Sequence, residues 1–260
     1  MAVGTPLRFV EPAEPGPVTG LFEREIVSTT IAFDGREFGW VMPEPPSDPD
    51  PDEPARGPTL TTLHDDNEKE RWKAQEAAQR FLSALAFYYD VRMESRPTSG
   101  GSGERDLLRP FGTSEPRDTI GITIADPVKK IVVAEDAYLR LALAVYREGL
   151  NAGSPFYRFL AYWNVINTVL GGKEKTHDKW LRREAPRFGY GMHVEGDVAK
   201  HLREASRHAI AHVLRKKPKD VSIDPDRPVD RARLDAEGKW MQELARRAID
   251  QRWPRPVDAS

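Results

Sequence analysis

The stretch "SPFYRFLAYWNVINTVLGG" (Ser154–Gly172) decides the fold. Ser154 stands where a helix cap belongs, Pro155 fits the first helical position, and the paired glycines Gly171 and Gly172 stop the helix. Between them the apolar residues run nearly all the way round. A helix of that kind is buried on every side, so it should be the centre of a helical bundle. Tyr157, Tyr162 and Trp163 are then core aromatics. Arg158 and Asn164 are polar groups on a buried helix and need partners, and an acid of another helix would serve Arg158.

Helices are predicted on both sides of this one. "AEDAYLRLALAVYREGL" (Ala134–Leu150) precedes it. A short helix around "KTHDKWLRREAP" (Lys175–Pro186) follows, then "GDVAKHLREASRHAIAHVLRKK" (Gly196–Lys217) with Asp197 as its cap and a stop before Pro218. "VDRARLDAEGKWMQELARRAIDQRW" (Val229–Trp253) is the last.

Upstream the pattern changes. Residues 1–20 are rich in Pro and Gly, and Phe22–Met42 reads as a hairpin around Asp34-Gly35. Pro43–Pro58 is an acidic, proline-rich linker. Asp65–Val91 is a strong helix capped by Asp65 or Asp66, Ser95–Glu104 is a break, and Asp118–Ala125 alternates like one more strand. The expected fold class is therefore α+β. It has an N-terminal β-containing segment with its linker (1–62), a long helix, break and strand (63–133), and a helical bundle of about five helices (134–260).

Composition bounds the function. No cysteine is present among the 260 residues, so disulfides and thiolate chemistry are excluded. No apolar run approaches the roughly 18 residues of a membrane span, and the first residues lack the basic-then-apolar pattern of a secretory signal. A cytoplasmic protein with no membrane association is expected. Glycine-rich nucleotide loops are missing, and Ser154 and Ser206 have no triad context. The net charge of −2 is unevenly spread. Lys173–Lys219 holds 13 Lys/Arg against 6 Asp/Glu, whereas residues 1–60 hold 4 against 11. Such a basic stretch suits a polyanion, and it equally suits an ordinary solvated surface.

The candidate chemistry lies within that stretch, in "LREASRHAIAHVLRKKPK" (Leu202–Lys219). An Arg followed four to six residues later by His occurs three times, at Arg187/His193, Arg203/His208 and Arg207/His212, about as often as chance allows. Only Arg207/His212 lies late in a helix of small and apolar residues, between a buried helix and a terminal one.

In that context the chain resembles the HEPN superfamily of helical-bundle domains. Their hallmark is an Arg, then a polar residue, with a His four to six positions beyond the Arg. Arg207, His208 and His212 occupy those places, with His208 where Asn is commoner. The resemblance covers roughly residues 134–252. The long form with an N-terminal β segment is similar to MauJ-type proteins, labelled after methylamine utilisation. The resemblance implies metal-independent RNA cleavage by a homodimer whose two motifs face one cleft, often in toxins or defence effectors with an antitoxin or partner protein. No cofactor is implied.

The residue types suit that chemistry. His212 titrates near neutrality and can move a proton, Arg207 offers a planar fork to phosphate oxygens, and His208 can position substrate or share the proton work. Arg203, Arg215, Lys216, Lys217 and Lys219 are candidate phosphate contacts, although cations at a helix C-terminus are also favoured by its dipole. On an α-helix Arg207 and His212 stand about 140° apart, so a second protomer would have to bring them together.

Three alternatives stand beside this reading. His201, His208 and His212 share one stripe and could hold a metal, yet the first pair spans about 10 Å. The histidines could also simply edge a packed face. A catalytically inactive module that binds protein or nucleic acid is the third. Trp180 could stack on a base, but a Trp on a short helix more often enters a core.

Overall fold

The structure is a computed structural model. It describes residues 2–8, 28–41, 59–63, 67–95, 98–100, 133–189, 196–208, 223–224 and 226–253. The chain divides into two compact units, Met1–Val133 and Ala134–Ser260.

In the first unit, helix α1 (Glu68–Tyr89) is capped by Asn67, whose Oδ1 accepts from the Glu70 amide at 2.9 Å. The cap is thus neither Asp65 nor Asp66, and Glu68 and Glu70 place negative charge in the first turn. Residues Phe81 to Phe87 are all buried. Asn67→Ala removes the cap bond and should cost about 1 kcal/mol of this unit's stability, read as a lower midpoint in urea unfolding.

Short antiparallel strands lie against α1. Strands β1 (Ala2–Arg8), β2 (Ser28–Phe33), β3 (Arg36–Val41) and β4 (Thr59–Leu63) form a ladder in the order β2-β3-β4-β1. β1 also pairs with β5 (Glu94–Ser95) and β6 (Thr98–Gly100). Asp34 and Gly35 turn the β2–β3 hairpin with φ of 51° and 71°, which is why a short polar residue and a glycine stand there. Phe33 and Phe38 flank the turn and pack on Phe81 of α1, with ring centroids 5.3 and 5.7 Å away. Asp34 accepts from Arg80 at 2.7 Å, and Arg36 reaches Glu70 at 3.0 Å.

The second unit is helix on helix. It contains α2 (Ala137–Asn151), α3 (Pro155–Leu170), α4 (Glu174–Glu184), α5 (Val198–Lys200) and α6 (Pro228–Arg252). A 3₁₀ turn (Ala185–Phe188) follows α4, and α5 runs on as a π-helical stretch, His201–His208. α3 packs on both α2 and α6. Its N-cap is Ser154 with Pro155 next, and it ends at Gly171 with φ 79°. Phe159, Tyr162, Val165 and Ile166 meet a core that includes Tyr146, Leu244, Ala248 and Ile249, all fully buried. Gly149 lets Tyr162 pass close, since a Cβ there would lie 2.7 Å from the ring.

The α+β expectation is corrected to a helical fold. Helices hold most of the described residues, and the second unit, which carries the motif, has no strand among its described residues. The physical reason is size. The strands are two to seven residues long, whereas α1 and α6 are 22 and 25. The alternating segments serve the face of one helix and do not set the class. The strand read at Asp118–Ala125 lies outside the described residues.

Tyr157, expected in the core, lies at the surface instead. It is 71% exposed, because α3 keeps one outer stripe through Tyr157 and Asn164. Tyr162, Trp163 and Trp180 are buried, and Trp180 Nε1 donates to Gln251 at 2.9 Å. Arg158 pairs with Asp235 of α6 at 3.2 Å.

Candidate functional site

The motif helix begins at Asp197, whose side chain accepts from the Ala199 amide at 3.0 Å. The same carboxylate receives the Arg182 guanidinium, with Nη2 at 2.7 Å and Nε at 3.0 Å. That hydrogen bond holds Asp197 below the usual carboxylate range. The start of the motif helix is therefore tied to α4.

From His201 to His208 the backbone winds as a π-helix. Hydrogen bonds from i to i+5 stack residues five apart on one face. His201 and Ser206 are such a pair, and both engage one carboxylate of α6. His201 Nε2 lies 2.9 Å from Glu237 Oε1, and Ser206 Oγ donates to Glu237 Oε2 at 2.6 Å. Glu237 and Ser206 are buried, while His201 keeps 26% of its side chain exposed.

Arg203 faces the other way, toward α4. It donates to buried Asp178 and pairs with Glu174 at 2.8 Å and Glu204 at 3.6 Å. Burial is the largest single influence and works against its charge, but Asp178, Glu174 and Glu204 together outweigh it and raise its pKa. A guanidinium so surrounded by carboxylates has little left for a phosphate. Next to Asp178, His177 is buried against the edge of Trp163, with ring centroids 4.3 Å apart. Its Nε2 has no hydrogen-bond partner among the described residues. Burial pushes its pKa down to about 4, against the smaller upward pull of Asp178.

At the end of α4, buried Glu184 receives Arg183 at 2.7 Å and Arg187 at 3.1 Å. Arg247 of α6 lies 3.6 Å away. Burial alone would raise the Glu184 pKa, yet the arginines reverse the sign and hold it low. Arg187, the first member of one Arg/His pair, is thereby engaged, and its partner His193 lies outside the described residues.

Arg207 is half-buried, and no ion pair ties it to a carboxylate among the described residues. It stands five residues after Leu202, which is fully buried, so the π winding brings Arg207 over the inward face. The backbone of His208 closes the described part of this helix. His212, the third member of the histidine stripe considered for metal, lies outside the described residues, as do Arg215, Lys216, Lys217 and Lys219. Among the described residues no group of three or more His, Asp or Glu is placed to hold a metal ion, and no helix is long and apolar enough to cross a membrane.

The helices from α2 to α6 have a counterpart among known families. Residues 142–250 match the family model described as methylamine utilization protein MauJ. That match spans the Arg/His helix, the π stretch and the Glu237 carboxylate, and it begins inside α2. No curated protein and no solved structure matches the chain.

The sequence singles out Arg207 as a candidate and passes over Glu237, the partner of His201. The signal was present: "AEGKW" places an acid beside Gly238 on an otherwise charged helix. Nothing local distinguished it from the other acids of α6.

Proposed function

We propose that the chain is a metal-independent endoribonuclease of HEPN type, acting in the cytoplasm as a homodimer. The observation that carries the reading is the contrast between two arginines one helical turn apart. Arg203 is engaged by three carboxylates, whereas Arg207 has no carboxylate partner among the described residues and sits half-buried at the late end of the motif helix. A partly desolvated guanidinium with no carboxylate on it suits a phosphate.

In this reading Arg207 binds the non-bridging oxygens of the scissile phosphate. A base, His212, takes the proton of the 2′-hydroxyl as its oxygen bonds to phosphorus. The bond to the 5′-oxygen breaks, and that oxygen leaves with a proton from His208 acting as the acid. The products are a 2′,3′-cyclic phosphate and a 5′-hydroxyl. His208 shares the proton work, and Arg215, Lys216, Lys217 and Lys219 hold flanking phosphates. Arg203 is withdrawn from that set, because Asp178 and Glu174 already occupy it.

The MauJ match supports the helical-bundle part of the reading and leaves room for a second one. In that second reading the bundle is a non-catalytic module that binds protein or nucleic acid, and the ion-paired Arg203 favours it. One experiment separates the two. A mixed single-stranded RNA pool is incubated in EDTA with wild-type chain, Arg207→Ala and His212→Ala. The nuclease reading expects cleavage to cyclic-phosphate ends and at least a hundredfold loss in either variant, with circular dichroism unchanged. An uncut pool with monomeric and dimeric wild type rejects the nuclease.

A further inference from the structure

We infer that Glu237 is a positioning residue: by holding His201 and Ser206 together it keeps the motif helix in its π winding, and through that winding it sets the direction of Arg207. The inference rests on the reading of Arg207 as the phosphate contact.

In an α-helix five residues turn the chain by about 500°, which leaves positions i and i+5 about 140° apart. One carboxylate on a neighbouring helix cannot then serve both. Here Glu237 serves His201 at 2.9 Å and Ser206 at 2.6 Å, one through each oxygen. The two-point contact therefore requires i to i+5 stacking, and that stacking is the winding observed over His201–His208. A π-helix has poorer intrinsic stability than an α-helix and survives as short stretches with tertiary support.

The support is strong at this place. Glu237 is buried, and a carboxylate there must keep its hydrogen bonds because leaving them unmade costs more than they contribute. Ser206 is fully buried as well, so its hydroxyl has no water to turn to. Arg233 lies 3.7 Å from the same carboxylate on α6 itself and balances part of its charge.

The consequence falls on the next residue. Arg207 is bonded to Ser206 in sequence and is five residues after Leu202, which faces the core. With π winding Arg207 stands on the same side of the helix as Leu202, and it is half-buried. With α winding it would stand about 140° round from Leu202. Glu237 thus controls Arg207 without touching substrate.

The test compares the full chain with Glu237→Leu, Glu237→Gln and Ser206→Ala. Leucine fills the space but offers no acceptor, whereas glutamine keeps one oxygen for His201 and an amide for the Ser206 oxygen. Crystal structures report the winding, and RNA cleavage and binding in EDTA report the function. The expected result is α winding over 201–208 in E237L with at least a tenfold loss of kcat/KM for RNA. E237Q should keep the π winding and stay within twofold of wild type. S206A, which removes one hydrogen bond and little volume, should show an intermediate loss and supplies the answer if E237L does not fold. Retained π winding in E237L or S206A overturns the inference, and so does full activity in a variant whose winding has changed. If wild type neither binds nor cleaves RNA, the nuclease reading fails, and the winding in the variants still decides whether Glu237 sets it.

Discussion

Acidification from pH 6.5 to 4 should remove about 3 kcal/mol of stability from the second unit through His177 alone. The imidazole is buried against Trp163, and burial lowers its pKa from 6.5 to about 4. Above pH 6.5 it is neutral in both the folded and the unfolded chain, so it contributes no pH dependence. Between pH 6.5 and 4 the unfolded chain binds a proton there that the folded chain refuses, and stability declines as pH falls. Below about 4 both states carry the proton and the loss levels off. A difference of about 2.5 pH units corresponds to about 3 kcal/mol. Asp178 and Arg203 are the charged groups facing the ring, and they pull in opposite directions. Urea unfolding of wild type and His177→Leu at pH 7, 6, 5 and 4.5 checks this. The gap between the two stabilities should shift by at least 2 kcal/mol in favour of the leucine variant across the series. Parallel curves would show that the ring is hydrated in solution.

The second large effect is expected at Gly149. It lies inside α2, where alanine would ordinarily be preferred by about 1 kcal/mol. Here a Cβ would approach Tyr162 Cε1 to 2.7 Å and two further ring carbons to 3.1 Å. Tyr162 is itself fully buried and packs on Tyr146 at 5.4 Å, so the ring has no free direction in which to retreat. Gly149→Val should therefore destabilise the unit by about 3 kcal/mol, the overpacking cost exceeding any gain in helix propensity. Thermal unfolding reads the loss. Combining it with Tyr162→Ala should recover 1 to 3 kcal/mol of coupling, as expected for two groups competing for one space. Strictly additive single losses would mean that the two do not meet.

Some of this molecule is legible from its sequence. The cap at Ser154, the proline at position 155 and the glycines at 171 and 172 bound α3 within a residue. Asp197 announces the start of the motif helix, and Arg158 finds its acid on another helix. These features are local, or follow from the rule that buried charge seeks a partner.

What failed was non-local or depended on degree. Tyr157 looked like core because α3 is apolar nearly all round, but only packing decides which stripe of such a helix meets water. The α+β class failed because alternation reveals strands without revealing how little of the fold they carry. That Arg203, read as a phosphate contact, is ion-paired to Asp178, 25 residues earlier, is likewise beyond any local pattern. The π winding is invisible to any periodicity assumed in advance, since its cause is a carboxylate on α6, 31 residues beyond Ser206.

Asp197 has a bearing on tolerance to change. It both caps the motif helix and clasps Arg182 through a two-pronged bond, so α4 and the motif helix are fastened side to side. Substitutions at exposed positions of α4 can accumulate without shifting Arg207, provided the Arg182–Asp197 clasp is kept.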